Sequence, residues 1–160
     1  MALEQIGYAG PEGSLQKGAH RNVIQSVGAT RQLTAAESGS LCLMDRAAGV
    51  VYTLPTPVAG MQFEFLATVA VTSNAYKVIT KTIASEFILG GVIMGDVTVA
   101  TSGDYFEANG TTHVAISENG STSGGLLGDR FTLTAISATQ WAIHGVLHGA
   151  GTLIDPFATS

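Results

Sequence analysis

The sequence predicts an all-β fold, a jelly-roll-like sandwich or small barrel carrying an extended N-terminal arm. Three observations carry that prediction. From residue 30 onward, turn-forming clusters rich in Gly, Asn, Asp and Pro punctuate the chain, at the spacing of about 8–12 residues typical of sandwiches and barrels. No segment in 30–160 sustains an apolar pattern at helical spacing between caps. Residues 61–65 instead alternate, with Met61, Phe63 and Phe65 on one face and Gln62 and Glu64 on the other, the period-two signature of a half-buried strand.

Residues 1–29 form the expected arm. Gly7, Gly10, Pro11, Gly13, Gly18 and Gly28 break every periodic segment there. Leu3, Ile6, Tyr8, Leu15, Val23, Ile24 and Val27 nevertheless supply apolar area that a solvated tail does not need. The arm is therefore expected to order against a neighbouring subunit and to be dispensable for folding. Residues 30–160 form one β domain, and strands are expected at 30–34, 40–44 and 50–54, the last stopped by Pro55 and Pro57. They continue at 61–71 and, beyond the Thr72-Ser73-Asn74 turn, at 76–82, where Lys77, Ile79 and Lys81 share a solvent-side face. Residues 83–94 fit either a helical turn or two buried strands around Gly90-Gly91. Further strands are expected at 97–101, 105–108 and 111–117, with Asn109-Gly110 closing a hairpin between the last two. Residues 119–125 suggest a flexible loop, and 130–136 with 140–147 an alternating pair around Ser137-Ala138-Thr139. Phe63, Phe65, Leu133 and Trp141 are the expected core.

Composition narrows the function. Charged residues make up 12% of the 160 and apolar residues 46%, whereas ordinary domains carry about 25% charged residues. A surface so poor in charge sheds its water readily against a partner, which favours burial in an oligomer or lattice over a weakly charged monomer. The net charge of −5 and the scatter of Lys17, Arg21, Arg31, Arg46, Lys77, Lys81 and Arg130 exclude a phosphate-binding face, so no nucleic acid is expected as partner. No apolar run approaches the length of a transmembrane helix, and no apolar segment behind a basic start marks a secretory signal. Synthesis in a cytoplasm, with no membrane partner, is the expectation. Cys42 stands alone, so neither an intrachain disulfide nor a cysteine metal site is expected, and its setting in Leu41-Cys42-Leu43-Met44 suits a small core residue.

No catalytic, cofactor-binding or metal site is expected. His144 and His148 stand four apart but among Gly145, Gly149 and Gly151, so they are assigned to a loop or interface. His20 stands alone in the arm, and His113 alternates with Val114 and Ile116 as a strand residue. Asp45, Asp96, Asp104, Glu118 and Asp129 neighbour turn clusters and are expected to bond local backbone. Asn109-Gly110-Thr111 and Asn119-Gly120-Ser121 match glycosylation acceptors formally and are assigned to turns. There is no P-loop lysine, no strand–GxGxxG–helix context and no GxSxG elbow, so the chain is expected not to be an enzyme.

Three segments carry a family resemblance. Leu33-Thr34-Ala35-Ala36-Glu37-Ser38-Gly39 leads through Ala47-Ala48-Gly49 to Tyr52-Thr53-Leu54-Pro55-Thr56-Pro57 and Ala59-Gly60-Met61-Gln62-Phe63-Glu64-Phe65. Gly128-Asp129-Arg130-Phe131-Thr132-Leu133 and Thr139-Gln140-Trp141-Ala142-Ile143-His144-Gly145 follow. Their order resembles small β-rich virion proteins of tailed bacteriophages, including capsid decoration (cement) proteins and head or tail appendage domains. The resemblance covers roughly residues 33–147 and rests on turn and strand signatures, so it carries over no functional residue. It implies a homo-oligomer, a trimer or failing that a dimer, bound to the major capsid protein on the outer surface of a virion and made in the host cytoplasm. The alternative it implies is a head- or tail-fibre module that binds host carbohydrate, with Tyr52, Tyr76, Tyr105, Phe106 and Trp141 as the candidate groove aromatics.

Overall fold

Two mixed β-sheets packed against each other form the body of the protein, a computed structural model that describes residues 9–10, 13–14, 20–99 and 101–160. In chain order the strands are β1 (Ala9–Gly10), β2 (Gly13–Ser14), β3 (Val23–Ile24), β4 (Thr30–Gln32), β5 (Leu41–Met44), β6 (Val50–Thr53) and β7 (Gln62–Ala67). They continue as β8 (Tyr76–Ile79), β9 (Phe87–Asp96), β10 (Gly103–Asn109), β11 (Ala115–Glu118), β12 (Arg130–Ala135), β13 (Gln140–Gly149) and β14 (Phe157–Ala158). One 3₁₀ turn, Ala35–Glu37, interrupts them, and the Glu37 carboxylate folds back to accept from the Thr34 N–H (2.8 Å) and hydroxyl (2.9 Å). The larger sheet runs β10-β9-β13-β12-β7-β5-β3 and the smaller β14-β11-β8-β6-β4, while β1 and β2 pair with each other. The expected all-β sandwich is what forms.

From β3 to β9 successive strands alternate between the two sheets. Each second strand re-enters its sheet after two crossings and points the same way as the one before, so β3, β5 and β7 pair in parallel, as do β4, β6 and β8. The β12–β13 pair is the expected antiparallel hairpin around residues 137–139. The core lies between the sheets. Phe63, Phe65, Leu133 and Trp141 are all fully buried, with Phe65 stacked on Phe131 (5.1 Å) and edge-on to Tyr52 (5.6 Å). Tyr52 and Tyr76 direct their hydroxyls to the Leu43 and Val69 carbonyls (2.7 and 2.9 Å), so neither buried phenol lacks an acceptor.

Four local expectations change. Residues 83–94 hold one strand rather than two or a helix: a turn at Thr82, where the Glu86 carboxylate accepts the Lys81 and Thr82 N–H groups, leads straight into β9. Gly90 sits within β9 because a Cβ there would lie 2.4 Å from the Ile143 carbonyl oxygen of β13. Residues 97–99 turn between β9 and β10 instead of forming a strand, held by the Asp96 carboxylate on the Thr98 N–H (2.8 Å) and hydroxyl (2.6 Å).

Asn109-Gly110 closes no hairpin, since β10 pairs with β9 and β11 with β8 and β14. It belongs to a corner that the chain builds twice. In Asn109-Gly110-Thr111-Thr112 the asparagine oxygen accepts the Thr111 and Thr112 N–H groups while its amide donates to the Thr112 hydroxyl. In Asn119-Gly120-Ser121-Thr122 it accepts the Ser121 and Ser123 N–H groups and its amide donates to the Thr122 hydroxyl. Both corners carry the chain from one sheet to the other. The second makes residues 119–125 a hydrogen-bonded structure in which Ser123, Gly124 and Gly125 are buried, not an open flexible loop.

Residues 20–29, assigned above to the arm, lie on the domain itself. β3 pairs with β5, Ile24 is buried in the core, and Ser26 donates to the Asp45 carboxylate. Leu3, Ile6, Tyr8 and Leu15 lie outside the described residues.

Candidate assembly interface

The outer face of the larger sheet carries the most distinctive exposed surface. Cross-strand register sets Tyr105 of β10 opposite Ile93 of β9, Ile93 opposite Val146 of β13, Val146 opposite Arg130 of β12, and Arg130 opposite Leu66 of β7. Three neighbours in that row are large, apolar and open to solvent: Tyr105 at 62% exposure, Ile93 at 58% and Val146 at 52%. Singly exposed apolar residues are ordinary on any protein, but a contiguous row across three strands is not. The adjacent row runs Glu107, Gly91, His144, Thr132, Glu64 and Leu41. A Cβ at Gly91 would meet the Tyr105 ring at 2.4 Å, so the glycine lets that ring lie across the sheet. Glu64, Arg130, Thr132, His144 and Val146 line a shallow depression of about 320 Å³ on this surface.

The Glu64 carboxylate here is paired with two arginines. Arg21 reaches Glu64 from the segment before β3 and Arg130 reaches it from β12, while Arg21 also donates to the Gly39 and Ser40 carbonyls (2.6 and 3.0 Å). Burial raises the Glu64 pKa, but the Arg130 and Arg21 guanidiniums outweigh it and hold the carboxyl below its usual range. The alternation of residues 61–65 placed Glu64 outward correctly; its burial comes from the two arginines, which sequence separation hid.

The chemistry-bearing residues scatter or serve the fold. His144 and His148 share the outward side of β13, roughly 13 Å apart at strand rise. His148 pairs through Nδ1 with Asp129 (2.7 Å). His113 precedes β11, accepts the Asn109 N–H at Nδ1 (3.1 Å) and stacks on Phe157 (5.8 Å). Among the described residues no group of three or more His, Cys, Asp or Glu side chains is arranged to hold a metal, and no helix is long and apolar enough to cross a membrane. Cys42 is a core residue whose thiol burial pushes up to about 12. Of the five candidate groove aromatics, Tyr52, Tyr76 and Trp141 are core and Phe106 is partly buried, leaving Tyr105 exposed.

Asp96 bonds the backbone of its own turn, as expected, whereas Asp45 accepts from Ser26, 19 residues away in the chain. Asp129 also accepts local N–H groups, from Gly125 (2.7 Å) and Leu126 (3.1 Å), but it is fully buried. Glu118 departs from the turn assignment. It ends β11 facing inward, and neither carboxyl oxygen has a partner. Extending the period-two count from Ile116 by one more step would have placed it inside. No protein-family profile matches the chain, and no curated protein matches it either.

Proposed function

We propose that this chain is a non-enzymatic structural virion protein, a capsid decoration (cement) protein that packs against copies of itself and binds the outside of a phage shell built from the major capsid protein. The observation that carries the reading is the row Tyr105–Ile93–Val146 on a sheet face with its ionic cluster already paired, in a chain with 12% charged residues. Such a face loses little hydration energy on burial. Five adjacent strands, β10-β9-β13-β12-β7, carry three outward rows, about 20 Å by about 20 Å or about 400 Å² of flat area before side-chain relief, which suits the centre of a contact with a second copy. A standard interface covers about 800 Å² per partner. The face meeting itself gives a two-fold dimer, whereas meeting a different surface of the next copy closes a trimer. Many copies then stabilise the mature shell by binding it better than its other states.

Sedimentation of the full chain at micromolar concentration, with and without Val146→Glu, tests this. The parent is expected to run as a trimer, or failing that a dimer, and to bind emptied capsids. The variant is expected to run as a monomer that keeps the parent's strand content by circular dichroism and loses only the share of its melting temperature that association contributes. A monomeric parent that binds no capsid overturns the proposal.

A further inference from the structure

Glu118 is the one carboxyl group among the described residues that is buried with both oxygens lacking a hydrogen-bond partner. Its neighbour Asp129 is buried too, but fully engaged. One Asp129 oxygen accepts from the Gly125 and Leu126 N–H groups, and the other from the His148 N–H (2.9 Å) and Nδ1. Two carboxylates sharing a dry site cannot both stay ionised. All the donors go to Asp129, which leaves the proton to Glu118.

The second corner lies across this pair as a lid. A Cβ on Gly124 would sit 3.3 Å from the Glu118 Cγ and 3.2 Å from an Asp129 oxygen, and one on Gly125 would sit 3.3 Å from the Glu118 Cβ. The lid is held down by the Gly125 carbonyl on the Val71 N–H (2.9 Å), the Ser121 carbonyl on the Ala150 N–H (3.0 Å) and the Thr122 carbonyl on the Ile154 N–H (3.0 Å). Gly120 approaches so closely that a Cβ would lie 1.9 Å from the Val71 oxygen. We propose that Glu118 is held as an uncharged acid that lets the 119–125 lid close over it, and that loss of its proton opens this lid: a proton-controlled clasp between the two sheets.

The surrounding groups support that assignment. From the residue just before β12 Glu118 meets Asp129, with His148 of β13 on its far side. From β8 it meets Tyr76, its register partner, whose hydroxyl donates to the Val69 carbonyl and accepts the Arg46 N–H. β14 brings only Phe157 and Ala158 to β11, while Asp155 is occupied with the Phe157 N–H. None of these supplies a donor to Glu118. Burial first, then the Asp129 charge, raises its pKa well above the usual value. With the folded pKa above the unfolded one, the stabilisation is complete at pH below the unfolded carboxyl range. It is lost as pH rises through the folded value.

The test compares the full chain with Glu118→Gln, which keeps the shape but cannot ionise, from about pH 5 to pH 9. In the parent, amide protection of Gly120, Ser123 and Gly125 is expected to fall relative to the variant by up to about tenfold per pH unit above the ordinary carboxyl range, and to level off once Glu118 is ionised in the closed form as well. Identical pH dependence in the two proteins overturns the clasp. Should Glu118→Gln fail to fold, carbon-13 NMR of the parent decides. A Glu118 carboxyl resonance at the protonated position at neutral pH, apart from the other glutamates, supports the proposal, and one at the ionised position overturns it.

Discussion

Truncating Phe65 to Ala tests the packing that joins the two sheets. Phe65 is fully buried on β7, stacked on Phe131 of the same sheet and edge-on to Tyr52 of the other. Losing the burial of the side chain costs about 1.5–3 kcal/mol in transfer energy, and the cavity left behind brings typical Phe→Ala losses to about 3–5 kcal/mol. Two rings lose a partner together here, each such pair contributing about 0.5–1.5 kcal/mol beyond its area. The upper half of the range, about 4–5 kcal/mol, is therefore expected. For a chain of this length that corresponds to a melting temperature lower by about 8–20 °C. Urea unfolding followed by circular dichroism measures it, and Phe65→Leu, which leaves a smaller void, should lose less than half as much. A loss below about 1 kcal/mol for Phe65→Ala would show that the ring is not wedged between the sheets as described.

Two further outcomes follow from the same contacts. A chain beginning at residue 30 lacks the buried Ile24, the Arg21–Glu64 pair and the Ser26–Asp45 bond, so it should be less stable than one beginning at residue 20 by at least the about 2–5 kcal/mol of an emptied Ile site. Equal thermal melts for the two would return residues 20–29 to a dispensable arm. Glu64 has its folded pKa depressed by Arg130 and Arg21 against the effect of burial, so its stabilisation is present above the unfolded carboxyl range and disappears as pH falls through the folded value. Acid unfolding should therefore be shallower in Glu64→Gln than in the parent, and superimposable acid limbs would remove the pair from the stability of the fold.

The sequence alone determined what depends on near neighbours in the chain. Alternation at residues 61–65 and 130–133 placed Phe63, Phe65 and Leu133 in the core, because successive side chains on a strand must face opposite ways. The two prolines ended β6, and residues 137–139 turned the β12–β13 hairpin. What only the tertiary structure decided is everything that depends on which strand lies beside which. Alternation between sheets made the pairing mixed, and Asn109-Gly110 became a crossing corner because its asparagine oxygen captured the two following amides. Glu64 became buried only when Arg21 and Arg130, 43 and 66 residues away, closed over it. Glu118 and Asp129 looked alike in sequence, two acids beside glycine-rich turns. Folding gave every nearby donor to Asp129 and none to Glu118, since partners for a buried carboxyl come from whichever backbone the fold brings alongside, and that is not written in its own neighbourhood.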